Sequence, residues 1–219
     1  MTSEELFIRR TVVAASGIIY WAGVLVNAWR VRRHIGRSPN LKPAGAKERL
    51  LWLGWLLVSV AWIAQPFLIR SSATDGWLRI IPGLGGTFLL YPGIALIVAG
   101  YGATLGCYAA MGDSWRIGIN QREKNVLVTT GPYRHVRHPI YLFQSMMLVG
   151  VAFLLPTPIS LLTLGVHLCC VLVKAADEEE YLLAIHGNRY DTYRAETGRL
   201  LPRFRKPARR DAQLPPENP

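Results

Sequence analysis

Apolar residues in this chain are gathered into blocks of near membrane-crossing length, and that grouping limits the fold more than any other feature. A soluble domain of this size spaces its hydrophobic residues along amphipathic elements instead. Five blocks stand out, at residues 11–29, 50–69, 87–107, 139–155 and 159–173. A helix needs roughly 20 apolar residues to cross a hydrocarbon core of about 30 Å, so the pattern predicts an all-α integral membrane protein with five transmembrane helices. The last two blocks are short. They predict a tight hairpin that packs against the other helices, tilts little or stops short of a full crossing. The first block is not a cleavable signal peptide: Arg9 and Arg10 precede it, but Trp21, Asn27 and Trp29 stand where small residues would mark a cleavage site.

The basic residues order the topology. Of 25 Lys and Arg, two precede the first block, seven lie in 30–49, two in 70–86, five in 107–138 and nine after 173. Alternate loops hold 21 against 4, which places the N-terminus outside and the C-terminus in the cytoplasm. A net charge of +11 attracts anionic lipid headgroups; no recognisable nucleic-acid-binding module accompanies it, and no nucleic-acid partner is expected. Cys107, Cys169 and Cys170 form neither a disulfide framework nor a zinc spacing, and no metal site is expected.

One domain, residues 1–205, accounts for the blocks together with a cytoplasmic C-terminal cap drawn from 107–138 and the residues after 173. The loop at 36–47 is rich in turn formers. The Pro-rich end, 206–219, is expected to be disordered because it has little to bury. In the third block Gly102 and Gly106 form a small-xxx-small pair that admits a close neighbouring helix, though oligomeric state is not legible from it.

Two polar clusters flank the final hairpin. Residues 131–141, Gly-Pro-Tyr-Arg-His-Val-Arg-His-Pro-Ile-Tyr, run straight into the fourth block, and Asp177-Glu178-Glu179-Glu180 follow the fifth. A turn at Pro156-Thr157-Pro158 folds both clusters to the same side. On a helix starting near Pro139, Tyr141 and Ser145 share a face with Gln144 beside them, and His138 caps it. Proline suits the first helical position, and the free N–H groups there suit an anion. His167, Lys174 and Glu178 lie seven and four residues apart, on one stripe. Each has a plain alternative: His167 as a satisfied interior side chain, Lys174 as a snorkelling one, and the acidic run as the solvated first turn of a cytoplasmic helix. Together with Arg134, Arg137 and His138 the acids instead outline a pocket for a zwitterionic ligand.

At these residues the chain resembles the isoprenylcysteine carboxyl methyltransferase family and, less closely, the phospholipid N-methyltransferases of the same membrane superfamily. Gly-Asp-Ser-Trp-Arg at 112–116, Arg137-His138-Pro139-Ile140-Tyr141, and Glu178-Glu179 followed by Gly187, Tyr190, Tyr193, Arg199 and Pro202 carry the likeness, which spans about residues 90–204. The resemblance implies S-adenosylmethionine bound at the cytoplasmic face and a tunnel open to the bilayer for a lipophilic or lipidated acceptor. It assigns His138, Tyr141, Glu178 and Glu179 to the cofactor, with Arg137, Pro139 and the backbone of Gly131, Pro132 and Tyr133. Where the eukaryotic carboxyl methyltransferases carry an arginine one turn before the Glu-Glu pair, this chain has Lys174, which keeps the charge without the planar fork. It also has Phe143 where the family motif often continues with glycine, and His186 in place of the usual Phe.

The expected chemistry is in-line methyl transfer. Lys174 and Glu178 are the catalytic candidates: the first to orient an anionic acceptor such as a carboxylate or thiolate, the second as a general base or a cofactor ligand. A prenylated cysteine, a small thiol, a phospholipid amine and an isoprenoid acid are all open as acceptors. Two competing readings are a nicotinamide-dependent membrane reductase of sterol-reductase type and a non-catalytic lipid-binding or transport module.

Overall fold

The computed structural model describes residues 1–36, 45–71, 75–115 and 126–203. The expected disordered tail at 206–219, most of the 36–47 loop and Arg116 lie outside the described residues. Six helices account for most of the rest: α1 (Ser3–Ile35), α2 (Gly45–Leu68), α3 (Leu90–Met111), α4 (Pro139–Leu154), α5 (Pro158–His186) and α6 (Asn188–Glu196). Among the described residues the sole β pairing is an isolated bridge from Val136 to Gly198.

Helix ends follow local chemistry. Thr2 caps α1 by accepting a bond from Glu5 N–H at 3.1 Å, while Arg32, Arg33 and His34 occupy its last turn, where positive charge suits the dipole. The α4–α5 turn falls where the three residues Pro156, Thr157 and Pro158 call for it: Thr157 accepts a bond from Ser160 N–H at 3.1 Å, and Pro158 opens α5.

Among the described residues four helices are long and apolar enough to cross a membrane: α1, α2, α3 with its flanking turns, and α5. The fifth expected span, α4, is apolar but has 16 residues, about 24 Å at about 1.5 Å per residue. The fold is therefore all-helical with four helices of crossing length and one shorter apolar helix packed chiefly against α3.

Two expectations are corrected and one plain alternative fails. The acidic run is not the first turn of a separate helix, since α5 continues unbroken from Pro158 to His186 and carries residues 177–180 in its last third. Its stop at Gly187, with φ 51°, and the short helix beyond it are as the sequence suggests. The close helix contact on α3 is made by other glycines than Gly102 and Gly106. A Cβ on Gly102 would meet nothing within 4 Å, and one on Gly106 would only graze Pro132 at 4.0 Å. A Cβ on Gly100 would lie 2.8 Å from the Phe143 carbonyl oxygen, and one on Gly150 of α4 would lie 2.7 Å from the Gly93 carbonyl oxygen. Lastly, Arg9 is not merely a flanking charge. It is fully buried and donates to the carbonyls of Phe153 at 3.1 Å, Leu154 at 3.0 Å and Gly86 at 2.8 Å, with Glu5 as counter-ion at 2.8 Å. Arg9 thus satisfies carbonyls at the end of α4 that no helical N–H can reach, and holds α1 to the hairpin turn.

Candidate functional site

At the other end of the α4–α5 hairpin, residues 126–138, the last turns of α5 and α6 close over the bundle. Three backbone bonds stitch this closure: Arg137 N–H to Gly198 O at 2.8 Å, His138 N–H to Arg199 O at 3.1 Å, and Gly198 N–H to His135 O at 3.4 Å. Tyr193 donates to the Tyr133 carbonyl at 2.7 Å, tying α6 to the start of the motif. These bonds fix the backbone from which Arg137 and His138 project.

His138 stands at the N-cap position of α4 but makes no side-chain cap bond, contrary to the capping role read from sequence. Its ring turns to α5 instead, with Nδ1 3.3 Å from Glu178 Oε2 and Nε2 3.4 Å from Glu179 Oε1. Burial opposes a charge on this imidazole, yet the hydrogen bonds and negative charge of Glu178 and Glu179 outweigh it and raise the pKa above the ordinary 6.5. One turn into α4, Tyr141 donates to Glu178 Oε1 at 2.8 Å. The rings of His138 and Tyr141 stack at 5.7 Å, and Trp55 of α2 stacks on Tyr141 at 6.2 Å.

The two glutamates part company. Glu179 is clamped by Arg137 at 2.9 Å and by Arg199 at 2.7 Å and 3.1 Å, and faces a small polar recess with Arg194 and Arg203. Glu178 faces a large cavity of about 760 Å³. That cavity also receives Tyr133, Arg137, His138, Tyr141 and Lys174, so six of the catalytic and cofactor candidates read from sequence converge on one space. Gly131, Pro132, Pro139 and Glu179 are not on its wall. Gly131 supports the motif through its backbone, turning the chain at φ 59° against Ala110.

Lys174 does not snorkel. It is 5% exposed and its Nζ lies 3.3 Å from Glu48 Oε1 at the start of α2, a partner that sequence reading missed. His167 is fully buried away from the cavity wall, with Nε2 3.1 Å from Ser145 Oγ, which in turn donates to the Tyr141 carbonyl at 2.8 Å. Through Ser145 it braces the α4 residue that carries the phenol, while among the described residues its Nδ1 is buried without a hydrogen-bond partner.

Sequence reading also missed the part of the wall built by α1 and α2. Tyr20, Trp21 and Val24 of α1 and the stripe Trp52, Trp55, Leu56, Ser59, Val60 and Ile63 of α2 carry the cavity between the helices. Their three-to-four-residue spacing is an ordinary inward stripe, with no polar motif to mark it. Tyr190, Tyr193, Leu127 and Trp115 complete the opposite end. Among the described residues no group of three or more His, Cys, Asp and Glu side chains is placed to hold a metal.

The space is thus polar at one end and apolar through its length. A carboxylate beside three aromatic rings suits a cationic centre such as a sulfonium or ammonium, and Arg137 offers a counter-charge for a carboxylate. Among the described residues Tyr190 Oη is buried without a hydrogen-bond partner, which leaves polar capacity unused at that end. The donor set therefore fits a zwitterionic cofactor.

The comparisons with known proteins fall on the same region. The sequence profile of the family described as phospholipid methyltransferase matches residues 88–189, from the start of α3 through the motif, α4 and α5 into α6. The nickel-cobalt-cadmium resistance protein NccN of Alcaligenes xylosoxydans xylosoxydans is 29% identical over 97 residues, which cover 44% of this chain and 46% of that protein. The match thus spans about half the length of that curated relative. Over residues 88–189 the chain therefore carries the sequence pattern of the phospholipid methyltransferase family, in which the resemblance to the carboxyl methyltransferases is contained.

Proposed function

We propose that this protein is a multi-pass membrane methyltransferase that uses S-adenosylmethionine and acts on a lipophilic or membrane-presented acceptor. What carries the reading is the continuity of one cavity, from the Glu178, Tyr141 and His138 cluster to the apolar stripe of α2. The family match to 88–189 supports the reaction class. The basic loops put the N-terminus outside and the polar end of the cavity in the cytoplasm, where the cofactor is at hand.

When bound, S-adenosylmethionine supplies a methyl group already activated on a sulfonium, which passes to a nucleophile as the carbon–sulfur bond breaks and a thioether leaves. The residues then have three tasks. Glu178, aligned by Tyr141, holds positive charge of the cofactor, with Arg137 and the motif backbone on its carboxylate and the Trp55, Tyr141 and His138 rings alongside. Glu179 positions: it fixes Arg137, Arg199 and His138 rather than facing the ligand. Lys174 and Glu178 flank the acceptor, the lysine paired with Glu48 and the glutamate as proton acceptor for a protonated nucleophile. Alignment and exclusion of water in such a site are worth about 7 to 11 kcal/mol.

Calorimetric titration of S-adenosylmethionine and S-adenosylhomocysteine into the detergent-purified protein tests this, with NADPH for comparison. Saturable binding of the first two is expected, followed by label transfer from radiolabelled methyl donor in an acceptor screen. Binding of NADPH alone would replace the reading with a reductase, and no binding of any of the three would leave a lipid-binding module.

A further inference from the structure

Among the described residues, each cationic side chain on the cavity wall already has a carboxylate. Arg137 is held by Glu179, His138 lies between Glu178 and Glu179, and Lys174 is paired with Glu48. The last pair differs from the others in its origin. Glu48 comes from α2, outside residues 88–189, so this contact belongs to the part of the chain that the family match does not reach. We propose that Glu48 is a specificity-determining residue: by occupying Lys174 it makes the cavity discriminate against acceptors with an anionic head, in favour of uncharged ones.

Lys174 lies one helical turn before Glu178 on α5, at the level where an acceptor's head would meet the cofactor end of the cavity. An incoming carboxylate reaches the ammonium only by displacing Glu48. That exchange leaves the Glu48 carboxylate, whose side chain is 25% exposed, without the lysine and next to a second negative charge. A thiol or a neutral amine needs no such exchange. The adjacent Lys47 is bound to Asp177 of α5 at 2.5 Å, but its side chain is exposed and the pair adds little to the placement of Glu48. Two neighbouring pairs of opposite order, Lys47–Asp177 and Glu48–Lys174, join α2 to α5. The first sits outside the cavity wall and has no part in its charge, which makes it the natural control.

The choice of acceptor head rests on the methyltransferase reading; the charge selectivity of the cavity does not. The test measures the dissociation constants of a long-chain alkanoate and of the alkanethiol of equal chain length by quenching of tryptophan fluorescence, with methyl-transfer KM values beside them. Wild type is expected to prefer the thiol. Glu48→Gln is expected to tighten the alkanoate about tenfold while the thiol changes less than about twofold. Glu48→Asp, which keeps the charge, is expected to retain the wild-type ratio, as is Asp177→Asn, which loosens the same helix ends without freeing Lys174. A shift of both ligands together in Glu48→Gln, or the same selectivity change in Asp177→Asn, would overturn the proposal and reduce the pair to a structural latch. Calorimetry with S-adenosylmethionine on the same variants separates the two ideas: loss of cofactor binding in wild type would sink the reaction, while the ligand constants would still decide the role of Glu48.

Discussion

Tyr141 on α4 donates its phenolic hydrogen to Glu178 on α5 over 2.8 Å, and the two residues stand 37 positions apart in the chain. The bond points one glutamate of the Glu-Glu pair into the cavity, whereas Arg137 and Arg199 turn its neighbour into the closing segment.

That division makes Glu178 the ligand-facing acid. Glu178→Gln is expected to raise the dissociation constant of S-adenosylmethionine at least about tenfold, or about 1.4 kcal/mol. Tyr141→Phe, which removes one hydrogen bond to a charged group, is expected to act in the same direction by about 1.5 kcal/mol. Calorimetry on folded variants checks both, and unchanged affinity in Glu178→Gln would take this residue out of the cofactor site.

Glu179 is expected to matter to stability more than to affinity. Its carboxylate collects Arg137, Arg199 and His138, so Glu179→Ala leaves the buried Arg137 and His138, with the exposed Arg199, without the acid they share. The expected loss is about 3 kcal/mol, read as a lower unfolding temperature in detergent. A Glu179→Ala protein that unfolds like wild type but binds no cofactor would reverse the two assignments.

His138 makes stability depend on pH in a definite sense. Its pKa is raised in the folded protein, so the protonated ring binds its carboxylates more strongly than it would in the unfolded chain. The contribution is complete below the unfolded value of about 6.5 and is lost as pH rises through the folded value. The unfolding temperature of wild type is expected to fall as pH rises from about 6.5 through the folded value, with a flatter profile in His138→Gln. Parallel profiles would show that the imidazole carries no linked proton.

The α3–α4 contact gives a purely steric test. Gly150→Ala sets a methyl 2.7 Å from the Gly93 carbonyl oxygen, and the expected cost is about 1 to 3 kcal/mol. Gly102→Ala meets nothing within 4 Å and is expected to be neutral or to stabilise α3 by up to about 1 kcal/mol, as Ala does over Gly in a helix. Thermal unfolding of the two variants separates them, and equal destabilisation would contradict this packing.

How much was legible depended on whether the information was local. The membrane blocks, the turn at Pro156-Thr157-Pro158, the stop at Gly187 and the grouping of Tyr133, Arg137, His138, Tyr141, Lys174 and Glu178 follow from composition, turn chemistry and helical period, all of which act over a few residues. The same reasoning chose the wrong glycines on α3. Gly102 and Gly106 have the spacing for close approach, but which face of an apolar helix meets a neighbour depends on the rotation of that helix, and an all-apolar segment carries no stripe to signal it. The plain alternative for the acidic run failed for a related reason: acids suit a first turn, yet here they ride the last third of a helix that Glu48, Lys47, Arg137 and Arg199 steady from outside.

By itself, then, the sequence determined that this chain is an all-helical protein with helices of membrane-crossing length, and that two polar clusters meet at one end of its final hairpin. Only the tertiary structure decided which glutamate faces the cavity, that Lys174 is paired with Glu48, that Arg9 locks α1 to the hairpin turn, and that α1 and α2 wall the apolar part of the site. Those facts are pairings between residues far apart in the chain. They follow from how helices rotate and seat against one another, where each burial is settled jointly by both partners and neither sequence segment alone carries the answer.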